Sequence, residues 1–338
     1  MQSLNLSGKL RTYEQIIHEP LPPTDWLIEP LIAQGDRVVI YGEFGVRKSW
    51  MLLDVALHLA AGKPWAGHFV IPQPRTVLYI DEEMAPQELQ RRVQRLARGA
   101  GLEEISVPLY TASRLGLQCS DTGIANLQRE LAACAVQPGV IIVEALRRVI
   151  VGNENEAADI GKLWKAIDPL VQAGTTIILS HHMKKPPQQG GGDIRHRASG
   201  STDIQAGADA AYAVTRCGQD VIALECTKLR TAEEPKPFLI SFNEEAGREG
   251  PVTLRYEGAR EDGTGQTAFN AAVSLILRVL SEAPEVVFTT ATVMQHLAEA
   301  GVNKTTTERA LSHCRKLQLV DVVARGQIKA RQSLPVVA

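Results

Sequence analysis

Residues 37–50 read RVVIYGEFGVRKSW: an apolar run that ends at Gly42, a short turn, and then Lys48 and Ser49 opening a longer amphipathic stretch. The apolar run predicts a buried strand over 37–41, and the spacing that follows predicts a helix over 49–61 that stops near Gly62. Between them, Gly42-Glu43-Phe44-Gly45-Val46-Arg47-Lys48-Ser49 fits G-x-x-x-x-G-K-S at every fixed position except the sixth, where Arg47 stands in place of glycine. A loop of this kind turns backbone N–H groups toward phosphate oxygens at a helix N-terminus. Lys48 is then placed to reach the β and γ phosphates of ATP, and Ser49 to hold Mg²⁺. The expected nucleotide-binding set is Gly42, Glu43, Phe44, Gly45, Val46, Arg47, Lys48, Ser49 and Trp50. Two readings of Arg47 stay open: its side chain strains the loop and weakens binding, or its guanidinium lies along the nucleotide as a fixed positive charge.

Downstream of this loop the chain alternates strand-like and helix-like segments. Strands are expected at 76–80, 140–143 and 175–180, and helices at 86–98, 123–133 and 158–173, the last capped by Asn155 or Asp159. That rhythm predicts an α/β domain around a mostly parallel sheet covered on both faces. Beyond residue 210 the strands 211–216, 221–227, 238–242 and 252–256 follow one another without helices, which predicts an antiparallel edge. The polar, glycine-rich EGAREDGTG at 257–265 reads as a linker. After it, Phe269, Ala272, Val273, Ile276, Val279 and Leu280 fall at helical spacing. Helices over 290–300 and 305–317 and a hairpin of 319–323 with 328–334 around Gly326 complete the pattern of a winged helix-turn-helix. The expected organisation is an N-terminal segment 1–24, a nucleotide-binding core 25–256, a linker 257–266 and a winged-helix domain 267–338.

Composition is that of a folded protein, with 44% hydrophobic and 22% charged residues among 338. Met1 to Glu19 carries no apolar run, and no stretch of 18 apolar residues occurs, so we expect no membrane partner and a cytoplasmic location. The five cysteines are scattered without a C-x-x-C pair, which predicts reduced thiols. A net charge of −2 does not announce a nucleic-acid partner. From Thr267 onward, however, eight Lys and Arg face five acids, a mildly basic tail on an acidic body.

Taken together, DWLIEPLI at 25–32, GEFGVRKSW at 42–50, VLYIDEEM at 77–84, VIIVEALRR at 140–148, ENEAAD at 154–159, ILSHHMKKP at 178–186 and RASGS at 197–201 resemble the RecA-like P-loop ATPases of the plasmid replicative helicase RepA type. The resemblance spans about Asp25 to Phe242, roughly two thirds of the chain. It implies that Glu83 polarises the attacking water, with Glu82 and Asp81 as neighbouring acids. It implies that Glu144, where the family pattern has aspartate, orients Mg²⁺ through water. His182, beside His181, takes the place of the residue that senses the γ phosphate; His196 is too isolated to make the pair a zinc site. The glycine-rich KKPPQQGGGDIRHR, with Lys184, Lys185, Arg195 and Arg197, takes the place of the DNA-binding loop, single-stranded DNA being the expected ligand, and it also reads as a solvated surface loop. Lys228 and Arg230 match a Lys-x-Arg pair that reaches the neighbouring subunit's nucleotide in ring hexamers.

In the C-terminal unit, Lys304 and Arg309 on the second helix of the helix-turn-helix are candidate DNA contacts, while a winged helix also serves as a docking module for a replication protein. The leading expectation is an oligomeric ATPase that translocates on or remodels DNA during replication of a plasmid, phage or mobile element. The alternatives are an ATP-gated DNA-binding or loading protein with little hydrolysis, marked by Arg47 and Glu144, and a KaiC-like regulatory ATPase.

Overall fold

The computed structural model describes residues 10–183, 202–218, 220–245, 247, 249–260, 266–283, 285–302, 304–316, 319–324 and 326–330. The chain divides into two compact units, Met1–Arg260 and Glu261–Ala338.

The first unit opens with α1 (Tyr13–His18), closed by a Thr12/Gln15 capping box, and the small hairpin β1 (Trp26–Ile28) and β2 (Ile32–Ala33). An alternating core follows: β3 (Arg37–Gly42), α2 (Lys48–Ala61), β4 (Val77–Asp81), α3 (Pro86–Ala100), β5 (Leu109–Ser113), α4 (Asp121–Ala133), β6 (Val140–Glu144), α5 (Leu146–Val149), α6 (Ala157–Gln172) and β7 (Thr176–His182). The unit ends with α7 (Asp203–Gly207), β8 (Ala210–Arg216), β9 (Val221–Leu229), β10 (Phe238–Glu244) and β11 (Val252–Ala259). One nine-stranded sheet joins them in the order β11-β10-β9-β8-β3-β7-β6-β4-β5. It is parallel from β8 to β5, and β9, β10 and β11 run antiparallel at the other edge, as the change of rhythm past residue 210 predicts.

The parallel strands are apolar at nearly every position because both faces are covered. Successive side chains point to opposite faces. Val38 and Ile40 of β3, Val77 and Tyr79 of β4, and Val140 and Ile142 of β6 join one core with α2 and α3. Val39 and Tyr41, Leu78 and Ile80, and Ile141 and Val143 join the other, with α4 and α6. Close approach of elements fixes two glycines. A Cβ on Gly99 of α3 would run into the Val252 carbonyl of β11, and one on Gly207 into the Trp164 indole.

Three differences from the sequence reading have physical reasons. The edge strand β5, LYTAS, was not anticipated, because its side chains are half-buried or exposed and give no apolar run. The N-cap of α6 is Glu156 with no side-chain cap, in place of Asn155 or Asp159; the Asp159 carboxylate instead accepts the Asn153 N–H and pairs with Lys162. Strand β11 continues to Ala259, into the glycine-rich 257–265 stretch, because it still pairs with β10 at Phe238.

A buried carboxyl stabilises α2 in a pH-dependent way. Asp54 is enclosed, accepts a hydrogen bond from the Trp65 indole N–H at 3.0 Å and lies 3.5 Å from His58. Desolvation pushes its pKa up to about 6, partly offset by His58 and Trp65. A raised carboxyl pKa stabilises the fold fully below about pH 4, and that contribution fades as pH rises through 6, by roughly 3 kcal/mol at 1.36 kcal/mol per unit. Asp54→Asn keeps an acceptor for Trp65 and removes the titration. Its advantage over the parent in chemical denaturation should therefore grow between pH 4 and pH 7, and a difference that does not change with pH would refute the assignment.

The second unit contains α8 (Gln266–Ser281), β12 (Phe288–Thr289), α9 (Thr290–Glu299), α10 (Lys304–Lys316), β13 (Val320–Ala324) and β14 (Gln327–Ala330). Ala272, Ile276 and Leu280 of α8 pack with Val293, Leu297, Leu311 and Ile328 in a core of their own. The strands form an antiparallel sheet in the order β12-β14-β13. The strand β12, which the sequence reading did not include, precedes α9; Thr289 caps that helix by accepting the Thr292 N–H.

Candidate nucleotide site

Four adjacent parallel strands end on one side of the sheet, and each delivers a candidate side chain. Beyond β3 lies the glycine-containing loop, beyond β4 Glu83, at the tip of β6 Glu144 and at the tip of β7 His182. They enclose a cavity of about 310 Å³ lined by Phe44, Gly45, Val46, Arg47, Lys48, Ser49, Trp50, Glu83, Arg92, Glu144, Ala145 and His182. Gly42 ends β3 before the loop; a Cβ there would lie 2.6 Å from the Val214 carbonyl oxygen, so glycine is needed for β3 and β8 to approach.

The loop has the form that an anion site requires. No side chain caps the first turn of α2, so its leading N–H groups are available to a ligand. Lys48 is buried and its Nζ donates to the carbonyl oxygens of Gly42 at 2.9 Å and Glu43 at 3.0 Å. Burial lowers its pKa, and Glu144, Glu83 and Glu43 counter that. Arg216 donates to the Gly45 carbonyl at 2.6 Å and ties down the loop tip, where Phe44 is fully exposed. Trp50 lies under two guanidinium groups, Arg92 at 4.9 Å and Arg95 at 5.3 Å from its ring centre.

Arg47 carries the backbone strain that the first reading names, and its side chain finds partners that neither reading named. Its backbone is left-handed, φ 63° and ψ 24°, a conformation that costs an L residue about 1–2 kcal/mol. The guanidinium turns away to the antiparallel edge and donates to Asp220 at 2.7 Å and Glu244 at 2.6 Å, over the Phe242 ring at 5.1 Å. Half-exposed ion pairs of this kind contribute up to about 1 kcal/mol each, and a cation–π contact about as much. Together they match the backbone cost, so the loop keeps its form without glycine.

The three consecutive acids after β4 separate by their contacts. Asp81 is buried and accepts the N–H groups of Glu83 and Met84. Glu82 accepts those of Gly116 and Leu117 at 2.9 Å each. Glu83 alone of the three lines the cavity, where Arg148 donates to it at 3.2 Å.

Glu144 is a buried carboxylate held by three hydroxyls. It accepts hydrogen bonds from Ser49 at 2.8 Å, Tyr79 at 2.7 Å and Ser180 at 3.2 Å. Burial raises its pKa, while the Tyr79 and Ser49 hydrogen bonds and the Lys48 charge oppose the shift. The adjoining Ser49 hydroxyl and Glu144 carboxylate form a hard oxygen donor set that fits Mg²⁺. His182 is half-buried and lines the cavity; burial together with Lys48 lowers its pKa against the pull of Glu83 and Glu154, which favours the neutral imidazole. Among the described residues no cluster of His, Cys, Asp and Glu could hold a further metal ion.

The remaining candidates lie elsewhere. Lys228 donates to the carbonyl oxygens of Gln205 at 2.9 Å and Ala206 at 2.7 Å, and Arg230 pairs with Asp209 at 3.0 Å. Because Leu229 of β9 is opposite Ala210 at the start of β8, this pair sits at the end of the sheet remote from the loop. Lys184, Lys185, Arg195 and Arg197 lie outside the described residues. Lys304 is exposed at the start of α10, 4.0 Å from Glu308; the Arg309 side chain is also outside the described residues. Sequence reasoning missed Arg92, Arg148, Arg216, Tyr79 and Ser180, and the Asp220/Glu244 pair, which is more than 170 residues from Arg47. A strand-end polar residue such as Ser180 carries a weak signal; the others carry none.

Among solved structures, the flagellar accessory protein FlaH from Methanocaldococcus jannaschii is similar at 14% identity and a TM-score of 0.44, covering 67% of this chain and 91% of that one. The RadB recombinase is similar at 12% identity and a TM-score of 0.43, covering 65% and 90%. No curated protein matches the sequence. No described helix is long and apolar enough to cross a membrane. A family model for an AAA domain, AAA_25, matches residues 8–188, more than half of the sequence and the part that carries the loop, Glu83, Glu144 and His182. The chain therefore belongs to the AAA_25 family of AAA domains.

Proposed function

We propose that this protein hydrolyses ATP and uses the cycle to move along or remodel DNA, as an assembly of several copies. The observation that carries the reading is the single cavity in which an uncapped helix N-terminus, Lys48, the Ser49–Glu144 pair, Glu83 and His182 meet. In this reading the first-turn amides of α2 and Lys48 hold the phosphates, and Glu83 accepts a proton from the attacking water. Ser49 and Glu144 would hold Mg²⁺, which would supply positive charge beside the phosphates. His182, uncharged, donates or accepts a hydrogen bond at the γ phosphate and reports its presence to the chain that follows β7.

The DNA part of the proposal is supported by the sequence of 184–197 and by the basic balance past Thr267, with Lys304 and Arg309 as contacts and the second unit acting as a winged helix. Lys228 and Arg230 are proposed to reach a neighbouring copy's nucleotide in a ring, for which a hexamer is the expected closure. The biological setting proposed is replication of a plasmid or other mobile element, in the manner of a RepA-type helicase. A second reading, nucleotide-gated DNA binding with little turnover, is favoured by Glu144, whose two oxygens already accept three hydroxyl hydrogen bonds. Turnover of Mg-ATP measured with and without single-stranded DNA, with assembly followed by light scattering, separates them. Stimulation of hydrolysis in a multi-copy assembly supports the motor; tight ATP binding without turnover supports the gate; no DNA effect in any nucleotide state rejects both.

A further inference from the structure

We infer that Arg47 is a positioning residue: it anchors the phosphate loop to the β8–β9 turn and the end of β10 through Asp220 and Glu244, and so sets the loop's readiness for nucleotide. The inference rests on the nucleotide reading above and adds residues that neither the loop pattern nor the family match assigns.

Three observations carry it. First, a non-glycine residue holds a left-handed backbone at the N-cap of α2, where the loop's shape is decided. Second, its side chain is fully engaged, with one guanidinium nitrogen on Asp220 at 2.7 Å, another on Glu244 at 2.6 Å and the Phe242 ring beneath. Third, Glu244 is shared. Its other oxygen lies 3.3 Å from Arg95 of α3, and Arg95 also donates to the Gly250 carbonyl at 2.7 Å and covers Trp50. The carboxylate thus links the phosphate loop to the helix that directly follows Glu83. A glycine at position 47 would take the same backbone angles with no anchor; arginine takes them and fastens the loop to two other parts of the sheet.

The test uses the full-length chain, with titration of a fluorescent ATP analogue in Mg²⁺ and hydrogen–deuterium exchange of the peptide spanning 42–50. Arg47→Ala keeps the left-handed demand and removes the anchor. It is expected to weaken nucleotide binding about tenfold and to speed exchange in that peptide. Arg47→Gly, relieved of the Cβ cost, should bind better than Arg47→Ala. The distant pair Asp220→Asn with Glu244→Gln should weaken binding about fivefold with the fold retained by circular dichroism, and should add little in the Arg47→Ala background beyond loss of the Glu244–Arg95 pair. If the carboxylate variants leave affinity unchanged or raise it while Arg47→Ala lowers it, the guanidinium acts on the nucleotide itself and the anchor is overturned. Unchanged exchange at 42–50 in Arg47→Ala also overturns it. Should the parent bind no nucleotide, the site reading fails, and the exchange data alone decide on the anchor.

Discussion

Lys48→Ala is expected to lower Mg-ATP affinity by roughly 100-fold or more and to abolish turnover, with the fold intact. The size follows from charge-assisted hydrogen bonds worth about 1.5–3 kcal/mol each, at about 1.4 kcal/mol per factor of ten. Lys48 is buried at the mouth of the loop, donates to two loop carbonyls and faces three glutamates. Those carbonyls and acids hold the ammonium in place, where a triphosphate would be a stronger partner. Removing it takes away the ammonium whose charge offsets Glu144 and would meet the phosphates. Calorimetric titration with Mg-ATP measures the loss directly. Retained micromolar binding in Lys48→Ala, with a normal circular dichroism spectrum, would mean that the phosphates are held somewhere else.

Glu83→Gln is expected to separate binding from chemistry. Affinity should stay within about threefold of the parent while the turnover number falls by 10²–10⁴, the usual range for losing a general base. Glutamine keeps the shape and the Arg148 contact but cannot take a proton. The neighbouring Glu82→Gln serves as the contrast, because that side chain is occupied by the Gly116 and Leu117 amides and does not line the cavity. Single-turnover hydrolysis in the two variants is the measurement. Equal rates for Glu83→Gln and the parent would hand the role to another group, with His182 the next to examine.

How much of this was legible beforehand depended on the kind of interaction. Parallel strands were readable because burial on both faces leaves a run such as VIIV at 140–143, and the antiparallel edge was readable because strands past residue 210 lack intervening helices. Strand β5 escaped because an edge strand with exposed Tyr110 and Thr111 has no apolar signature. In the site, Lys48 and Ser49 were legible from local spacing alone, since their geometry is set by a single turn of chain. Glu83 was preferred over Asp81 and Glu82 from the resemblance alone; that backbone amides of 83–84 and 116–117 occupy the other two became visible only in the fold. The direction of Arg47 was hidden as well: the carboxylates that claim it come from the β8–β9 turn and the end of β10, over 170 residues downstream. An isolated loop pattern weighs only what is next to it in the chain.

One feature of the sheet bears on how such a protein changes over time. Each candidate group hangs from the tip of a separate strand whose body is locked in a two-sided apolar interior. A substitution at one tip therefore alters one function without shifting the register of the rest. Arg47, where the loop pattern has glycine, and Glu144 at the tip of β6 are each accommodated by side chains around them, Asp220 and Glu244 in one case and three hydroxyls in the other. A lineage built this way can retune its chemistry in single steps while the scaffold stays inherited and unchanged.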